Sequence, residues 1–439
     1  MDPSPSPDSR PIYRVPYGQS TLEFRLPGTM HATVAVSRPG APIPDVKQAI
    51  REALDGPVGT PPLRELAKSA RTVCIVFTDS TRSCPDHLMV PAMLDELASA
   101  GIKDEDITLL CAVGMHRPST EVEKVAKLGA EVVRRYRVID NEPQNPTVLV
   151  DLGKTTGGVP ILLHRAAVEA DLLIATGVVE PHQYAGYSGG SKTLAVGAAG
   201  EALIAFTHGP AFVDHPGTRL GRIDGNPFQE AVMEVGRKAG LDFIVNVVQD
   251  DEKRVLRVAA GDPVFAHRQL VSFAKSVYEV PIPSQVDIAI GGVGSPKDVN
   301  LYQASRAPSY LFFAPTPVVR PGGYFIIPAR CDEGAGQGVG EQRFLAAMRN
   351  APTIHSILED ARKNGYPPGQ QRAFVMAKVL EGAKVVIVGS RFPDLVADCK
   401  MIPAETMEEA LAHAAGELGL ACEVLIVPHA LLTLPVVQA

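Results

Sequence analysis

Short apolar runs recur along this chain, most of them followed by an amphipathic stretch long enough for a helix, and this alternation sets the fold class. The runs fall at 73–77, 107–113, 170–175, 243–248, 286–291, 323–327, 385–388 and 424–427. Amphipathic stretches at 88–100, 227–239 and 407–418 lie between or beside them. An unbroken apolar run belongs to a strand covered on both faces, not to one with a wet side. Such strands alternating with helices build mainly parallel, helix-covered sheets, so the expected class is α/β. The start of the chain departs from this pattern. Leu22-Glu23-Phe24-Arg25-Leu26 and Ala32-Thr33-Val34-Ala35-Val36 alternate, with Pro27-Gly28-Thr29-Met30 between them. That pattern predicts a small antiparallel N-terminal hairpin.

A chain of 439 residues exceeds one ordinary core, so two domains with a cleft between them are expected. The expected division is a disordered tail over 1–11, a cofactor-binding α/β domain over 12–276 and a second α/β domain over 286–415. Residues 277–285 hold two prolines and little periodicity and serve as the linker. Residues 416–439 are expected to return to the N-terminal domain.

No apolar run reaches the length of a membrane span. The first residues, Met1-Asp2-Pro3-Ser4-Pro5, carry neither the basic nor the apolar part of a secretory signal. The six cysteines are scattered and form no C-x-x-C pair, as in a reducing cytoplasm. A net charge of −7 disfavours nucleic acid as a partner. No membrane partner is expected, and the chain should be a monomer or a small homo-oligomer.

In parallel sheets, ligands bind beyond the carboxyl ends of the strands. The run at 73–77 leads into Thr78-Asp79-Ser80-Thr81-Arg82, and that at 107–113 into Gly114-Met115-His116-Arg117. The run at 170–175 leads into a loop with a histidine, several glycines and serines, and Lys192. Small residues let backbone N–H groups approach a phosphate. Arg82 can clamp a carboxylate through two parallel hydrogen bonds, although an Asp79–Arg82 surface pair would read the same way. His116 and His182 both follow strand ends and can face one cleft. His208 ends a helix-like segment ahead of Gly209-Pro210. These three histidines are too far apart in sequence for a zinc repeat, which leaves a three-histidine zinc hydrolase as a weak reading.

Gly186-Tyr187-Ser188-Gly189-Gly190-Ser191-Lys192-Thr193 nearly matches the phosphate-binding loop G-x-x-x-x-G-K-[ST], with Ser191 in place of the second glycine. An alternative reading is therefore a nucleotide-phosphate enzyme using Lys192 and Thr193. A tight turn with a surface lysine is the plainer one, and it leaves His182 unexplained.

Taken together, these residues resemble the nickel-dependent lactate racemase family. Its pattern P-H-x-x-A-G-[FY]-S-G-G-x-K is matched at every fixed position by residues 181–192. D-x-T-R at 79–82, G-x-H-R at 114–117, His208, G-N-P at 225–227 and Y-Q-A at 302–304 follow the family order. The resemblance implies a racemase or epimerase acting at C2 of a 2-hydroxy acid through reversible hydride transfer to a nickel-pincer nucleotide. It implies that Lys192 carries the cofactor covalently and that His208 is the protein ligand to nickel. Asp79, Ser188, Gly189 and Gly190 would also hold the cofactor, the last three at its phosphate. His116 and His182 would be the opposed acid/bases, and Arg82, Tyr302, Gln303 and Arg306 would bind substrate. The implied partners are a small 2-hydroxy acid and, transiently, the proteins that make the cofactor. A non-catalytic relative that only binds cofactor or carboxylate is the other alternative; two opposed bases argue against it.

The chain departs from the lactate type in two places that bear on substrate. Arg306 stands where lactate-type members place a lysine. The region 366–374, where they place a tryptophan, reads Tyr366-Pro367-Pro368-Gly369-Gln370-Gln371-Arg372-Ala373-Phe374, and the chain has no tryptophan. Lesser changes are Ser83-Cys84-Pro85 after Arg82, and Ala195-Val196-Gly197 for a common Pro-Gly. These departures point to a substrate other than lactate: a malate-like diacid, a larger aliphatic or aromatic 2-hydroxy acid, or a sugar acid.

Overall fold

The computed structural model describes residues 10–38 and 40–438, so most of the tail expected over 1–11 lies outside the described residues. Strands β1 (Tyr13–Tyr17) and β2 (Ser20–Phe24) form an antiparallel hairpin, and β3 (His31–Val34) follows. Next come β4 (Val73–Thr78), β5 (Ile107–Ala112) and β6 (Arg137–Asp140), then the ribbon β7 (Leu149–Lys154) and β8 (Pro160–His164). Strand β9 (Leu172–Val178) leads into the short pair β10 (Pro181–His182) and β11 (Gly186–Tyr187), followed by β12 (Leu241–Gln249) and β13 (Val255–Gly261). The rest of the chain adds β14 (Glu279–Ile282), β15 (Val286–Gly291), β16 (Val319–Pro328), β17 (Lys384–Val388) and β18 (Ile402–Ala404). It ends with β19 (Glu423–Val427) and β20 (Leu434–Val437).

Two six-stranded sheets result, in the orders β13-β12-β9-β4-β5-β6 and β18-β17-β16-β15-β19-β3. All pairings are parallel except β12–β13, so the α/β expectation holds. Every residue of β4 and β9 is buried, as unbroken apolar runs require when helices cover both faces.

Two local expectations change. The hairpin turn is Gly18-Gln19, with Tyr17 facing Ser20, and not Pro27-Gly28-Thr29-Met30. The second alternating stretch supplies β3, which pairs with β19 in the second sheet. Residues 416–439 do not add a strand to the first sheet. β19 is buried over Val424–Val427 and lies between β15 and β3, while β20 pairs with β14 inside the expected linker. A run buried on both faces needs a neighbour on each side, and the second sheet offers them. The crossing therefore runs the other way, from the start of the chain into the second sheet.

Strand order in the first sheet sets the site. From β4 the chain moves outward to β5 and β6, then returns to lie on the other side of β4 as β9 and β12. Loops after β4, β5 and β9 diverge at this switch point and leave a crevice. A buried polar network fixes its rim. Asp86, fully buried, accepts hydrogen bonds from Thr78 (2.6 Å) and Thr176 (2.5 Å) and pairs with Lys127 at 2.7 Å. Lys127 also donates to the carbonyls of Arg82 and Cys84 at 3.2 and 2.9 Å. One ammonium thus ties down the loop that carries Asp79 and Arg82.

Candidate functional site

A cleft of about 1100 Å³ opens at this switch point and is closed on its far side by residues 302–372 of the second half of the chain. Asp79, Arg82, His116, His182, Ser188, Gly189, Lys192, His208, Tyr302 and Arg306 all line it. Gly190 and Gln303 are not among the lining residues.

His116 and Asp79 form a defined pair. His116 Nδ1 lies 2.7 Å from Asp79 Oδ2, and Thr81 donates to Asp79 Oδ1 at 2.7 Å. Burial pushes the Asp79 carboxyl up, but the hydrogen bonds from His116 and Thr81 and the charges of His116 and Arg82 outweigh it and hold it below its ordinary value. An ionised carboxylate only accepts, so His116 Nδ1 carries a proton and Nε2 is left with a lone pair. Asp79, expected on the cofactor, is here the group that orients His116.

His182 is arranged the opposite way. The N–H groups of Tyr184 and Ala185 donate to its Nδ1 at 3.2 and 3.1 Å. Burial first, then the charges of Lys192, Arg82, His208 and Arg306, push its pKa well below the ordinary range. The neutral ring with Nδ1 accepting bears its proton on Nε2. One histidine therefore offers a lone pair and the other an N–H.

His208 caps the helix Glu201–Thr207, and its Nδ1 donates to the Ile204 carbonyl at 2.9 Å. A backbone acceptor at Nδ1 leaves the Nε2 lone pair free, which is the form a metal ligand needs. Burial pushes its pKa down to about 4, so the ring is neutral at physiological pH. Tyr184 and Phe228 meet its ring edge-on, at centroid distances of 5.1 and 5.2 Å. Asn226 explains the Gly-Asn-Pro motif: its Oδ1 caps the helix Pro227–Lys238 and its Nδ2 donates to the Tyr184 carbonyl at 2.8 Å. Among the described residues no three His, Cys, Asp or Glu side chains converge as a metal site. The three histidines are thus not a zinc set.

Lys192 has no carboxylate within ion-pair distance among the described residues. Burial and the nearby Arg82 outweigh Glu180 and Asp79 and pull its amine down to about 7, so a sizeable fraction is neutral and nucleophilic at neutral pH.

The backbone of this loop is partly engaged within the protein: Ser188 N–H donates to the Glu180 carbonyl at 2.9 Å and Gly190 N–H to Asn246 Oδ1 at 2.8 Å, while Gly189 lines the cleft. Ser188 Oγ donates to the Val178 carbonyl at 2.6 Å. Gly189 (φ +83°) and Gly190 (φ +57°) adopt left-handed backbone, and a Cβ on Gly189 would lie 2.6 Å from Val179 Cγ2 and 2.7 Å from Asn246 Oδ1. They allow a tight fold of the loop against β9 and β12. Buried His267 braces it from behind, its Nε2 donating to the Ser188 carbonyl at 2.9 Å. Thr193 Oγ1 donates to the Thr176 carbonyl at 2.7 Å, and residues Thr193–Gly197 form a short π-helical turn. A nucleotide loop needs that hydroxyl for a metal ion and a longer helix behind it.

The wall from the second half carries groups that the sequence reading did not commit to. Arg372 opens the helix Gln371–Gly382, is 6 % exposed, lines the cleft and sits over the Tyr302 ring at 5.7 Å. Gln183, Tyr184 and Tyr310 line the cleft with it. A charge in the first turn, followed by the apolar run Ala373–Ala377, is the signal that could have found Arg372. Gln303 N–H donates to Asn300 Oδ1 at the start of the helix Leu301–Ala304, and its Oε1 is buried without a partner.

Comparison with known proteins matches both halves of the chain. Residues 17–221 match the lactate racemase N-terminal domain and residues 282–434 the lactate racemase C-terminal domain. The chain is 31% identical over 401 residues to a lactate racemase of Thermoanaerobacterium thermosaccharolyticum, covering 90% of this chain and 92% of that one. It is 30% identical over 431 residues to a lactate racemase of Lactiplantibacillus plantarum, covering 95% and 98%. The solved lactate racemase apoprotein from T. thermosaccharolyticum superposes with a TM-score of 0.87 at 28% identity, covering 98% of this chain and all of that one. A Thermotoga maritima protein shares the fold, with a TM-score of 0.64 at 19% identity over 91% of this chain.

Proposed function

This chain belongs to the lactate racemase family, and from that premise we propose that it inverts C2 of a 2-hydroxy carboxylic acid with a nickel-pincer nucleotide held at Lys192 and His208. The observation that carries this reading is the donor set of the cleft. A partly neutral amine at Lys192, a neutral His208 with its Nε2 free, and the unlike pair His116 and His182 share one cavity. These residues fit the cofactor. Lys192 would supply the amine for a covalent link, and His208 would supply an imidazole to nickel beside the cofactor's sulfur donors. When bound, the cofactor would accept a hydride from C2 and return it.

The chain's own residues manage protons and position. Removing a proton from C2 directly would create a carbanion beside a carboxylate; loss of the hydroxyl proton together with a hydride avoids it. His116 Nε2 takes the hydroxyl proton, and the imidazolium so formed is held by Asp79, which stays ionised. His182 Nε2–H donates to the substrate oxygen on the other face. As a neutral ring it donates a hydrogen bond there; delivering the proton itself requires the imidazolium, since a neutral imidazole that gave up its only N–H would be left as an anion. Burial first, and then nearby cations, keep the His182 ring neutral; a substrate carboxylate entering beside it would offset the cations. Arg82 and Arg306 are placed to fix that carboxylate, and closure by the 302–372 wall would exclude water from the keto acid.

The substrate on this reading is not lactate. Arg306 for lysine and the absence of tryptophan support a malate-like, larger aliphatic or aromatic, or sugar acid. The test uses protein made together with the cofactor-synthesis proteins. Intact mass should show an adduct that Lys192→Ala lacks, and metal analysis should show nickel that His208→Ala lacks. Chiral chromatography should show inversion of a 2-hydroxy acid. ATP binding with no adduct and no nickel requirement would replace this reading with the nucleotide one, against which the engaged Thr193 hydroxyl already argues.

A further inference from the structure

The C-terminal wall of the cleft is built for more negative charge than one carboxylate brings. Among its lining residues are Arg306, Arg343 and Arg372, and no aspartate or glutamate. Arg343 is occupied in part by the Pro368 carbonyl at 2.6 Å. Arg306 and Arg372 have no carboxylate within ion-pair distance among the described residues. Arg372 NH1 donates to Ser309 Oγ at 2.9 Å and approaches Gln183 Oε1 at 3.4 Å, while its Nε has no acceptor. Arg306 Nε and Gln183 Nε2 are likewise buried without acceptors. Of the unfilled acceptors, Gln303 Oε1 lies off the cleft lining, and Asn141 Oδ1 belongs to the lining contributed by the first half of the chain. Lys297 adds to the same field. Its amine is pushed down to about 8 by burial and then by Arg306 and Arg82, with Glu180 opposing.

A guanidinium that is nine-tenths buried with no counter-charge is costly unless an anion completes it. The two arginines are not equivalent. Arg306 is close enough to His182 to lower its proton affinity, and Arg372 contacts Gln183, the residue after His182, and Ser309. An anion beside His182 therefore answers Arg306 and leaves Arg372 open.

We propose that Arg372 is a specificity-determining residue that receives a second carboxylate, so that the substrate is a 2-hydroxy dicarboxylic acid whose C1 carboxylate lies at Arg306. The inference rests on the racemase reading above and narrows its substrate class. A fork with one nitrogen already fixed by Ser309 and Gln183 is oriented to accept a carboxylate at its remaining N–H groups.

The test compares malate with 2-hydroxybutanoate, which has the same chain length and one carboxylate, on cofactor-loaded enzyme. The wild type should favour malate in kcat/KM, and Arg372→Gln should lower the malate-to-2-hydroxybutanoate ratio on the order of 10²-fold, mostly through KM. Arg372→Lys keeps the charge but loses the fork and should lie between. It also stands in if the glutamine variant does not fold. Calorimetry with succinate, which has both carboxylates and no hydroxyl, adds a readout free of turnover: binding should be weakened to a similar degree by Arg372→Gln. Inversion of 2-hydroxybutanoate but not malate, or an unchanged ratio in Arg372→Gln, overturns the inference and leaves the racemase reading standing. No inversion of any 2-hydroxy acid by nickel-loaded protein removes the racemase reading; succinate binding that depends on Arg372 would then still support the dicarboxylate site, and its absence would overturn that as well.

Discussion

Replacing Lys192 by methionine should stabilise the protein in the absence of cofactor, and the gain should fade as pH rises. Lys192 sits in the cleft wall with an amine pulled from 10.5 to about 7, chiefly by burial. In the unfolded chain the same amine keeps a proton until about pH 10.4. Between these two values the unfolded state binds more protons than the folded one, so folded stability rises with pH. At and below pH 7 the full penalty of burying the cation applies. At about 1.4 kcal/mol per pH unit the ceiling on that penalty is about 5 kcal/mol. The side chain opens on the cleft, and water relieves part of the cost, so about 2–3 kcal/mol is the expected remainder. Methionine keeps the unbranched stem and removes the charge. Urea unfolding of cofactor-free wild type and Lys192→Met at pH 7, 8 and 9 should show the variant more stable at pH 7, with the gap narrowing at each step. A gap that does not change with pH, or a wild type more stable than the variant at pH 7, would refute the claim that the site holds a destabilised amine in readiness for covalent attachment.

Asp79→Asn should lower kcat by roughly 30–150-fold with a smaller change in KM, because the amide gives up a charge-assisted hydrogen bond worth about 2–3 kcal/mol and no longer enforces a proton on His116 Nδ1; steady-state kinetics checks the split, and an equal loss in affinity would refute it. Lys127→Met should cost about 3–5 kcal/mol of stability, since it leaves the fully buried Asp86 carboxylate without its counter-charge; chemical denaturation reads this directly. Gly189→Ala should cost about 1–3 kcal/mol through its left-handed backbone and the 2.6 Å approach to Val179, and intact mass should show a lower yield of adduct at Lys192 because the loop must shift.

What could be read from the sequence follows from how local each signal is. The strand ends were legible because β4 and β9 are wholly buried, β5 is mostly buried, and all three are therefore largely apolar. Once parallel pairing is inferred, the residues just past those runs must share an edge, and Asp79, His116 and Lys192 do line one cleft. Which sheet takes β19 was not legible. Val424-Leu425-Ile426-Val427 would be equally content in the middle of either sheet, and its partners β15 and β3 are more than a hundred residues away. The Asp86–Lys127 pair was not legible, since nothing in either sequence neighbourhood reveals that one is buried against the other. The glycines after Ser188 carried a true signal for an unusual backbone but not its reason, which lies in the packing of Asn246, Val179 and His267.

The arrangement of charge makes several roles depend on one property of the cleft. Lys192, His182 and His208 are each held toward the neutral form by burial, with neighbouring cations adding to it. Lys192, Arg82, Arg306 and Arg372 also lack a carboxylate within ion-pair distance among the described residues, which leaves the arginines attractive to an anion. His116 is the exception because it has Asp79, the one carboxylate of the cleft that is engaged with a histidine. On the proposed reading His182 depends on the anion that enters beside it. On the same reading, binding of the acid and readiness of the second histidine are one electrostatic event, and a neutral analogue of the substrate should fill the cleft without preparing it.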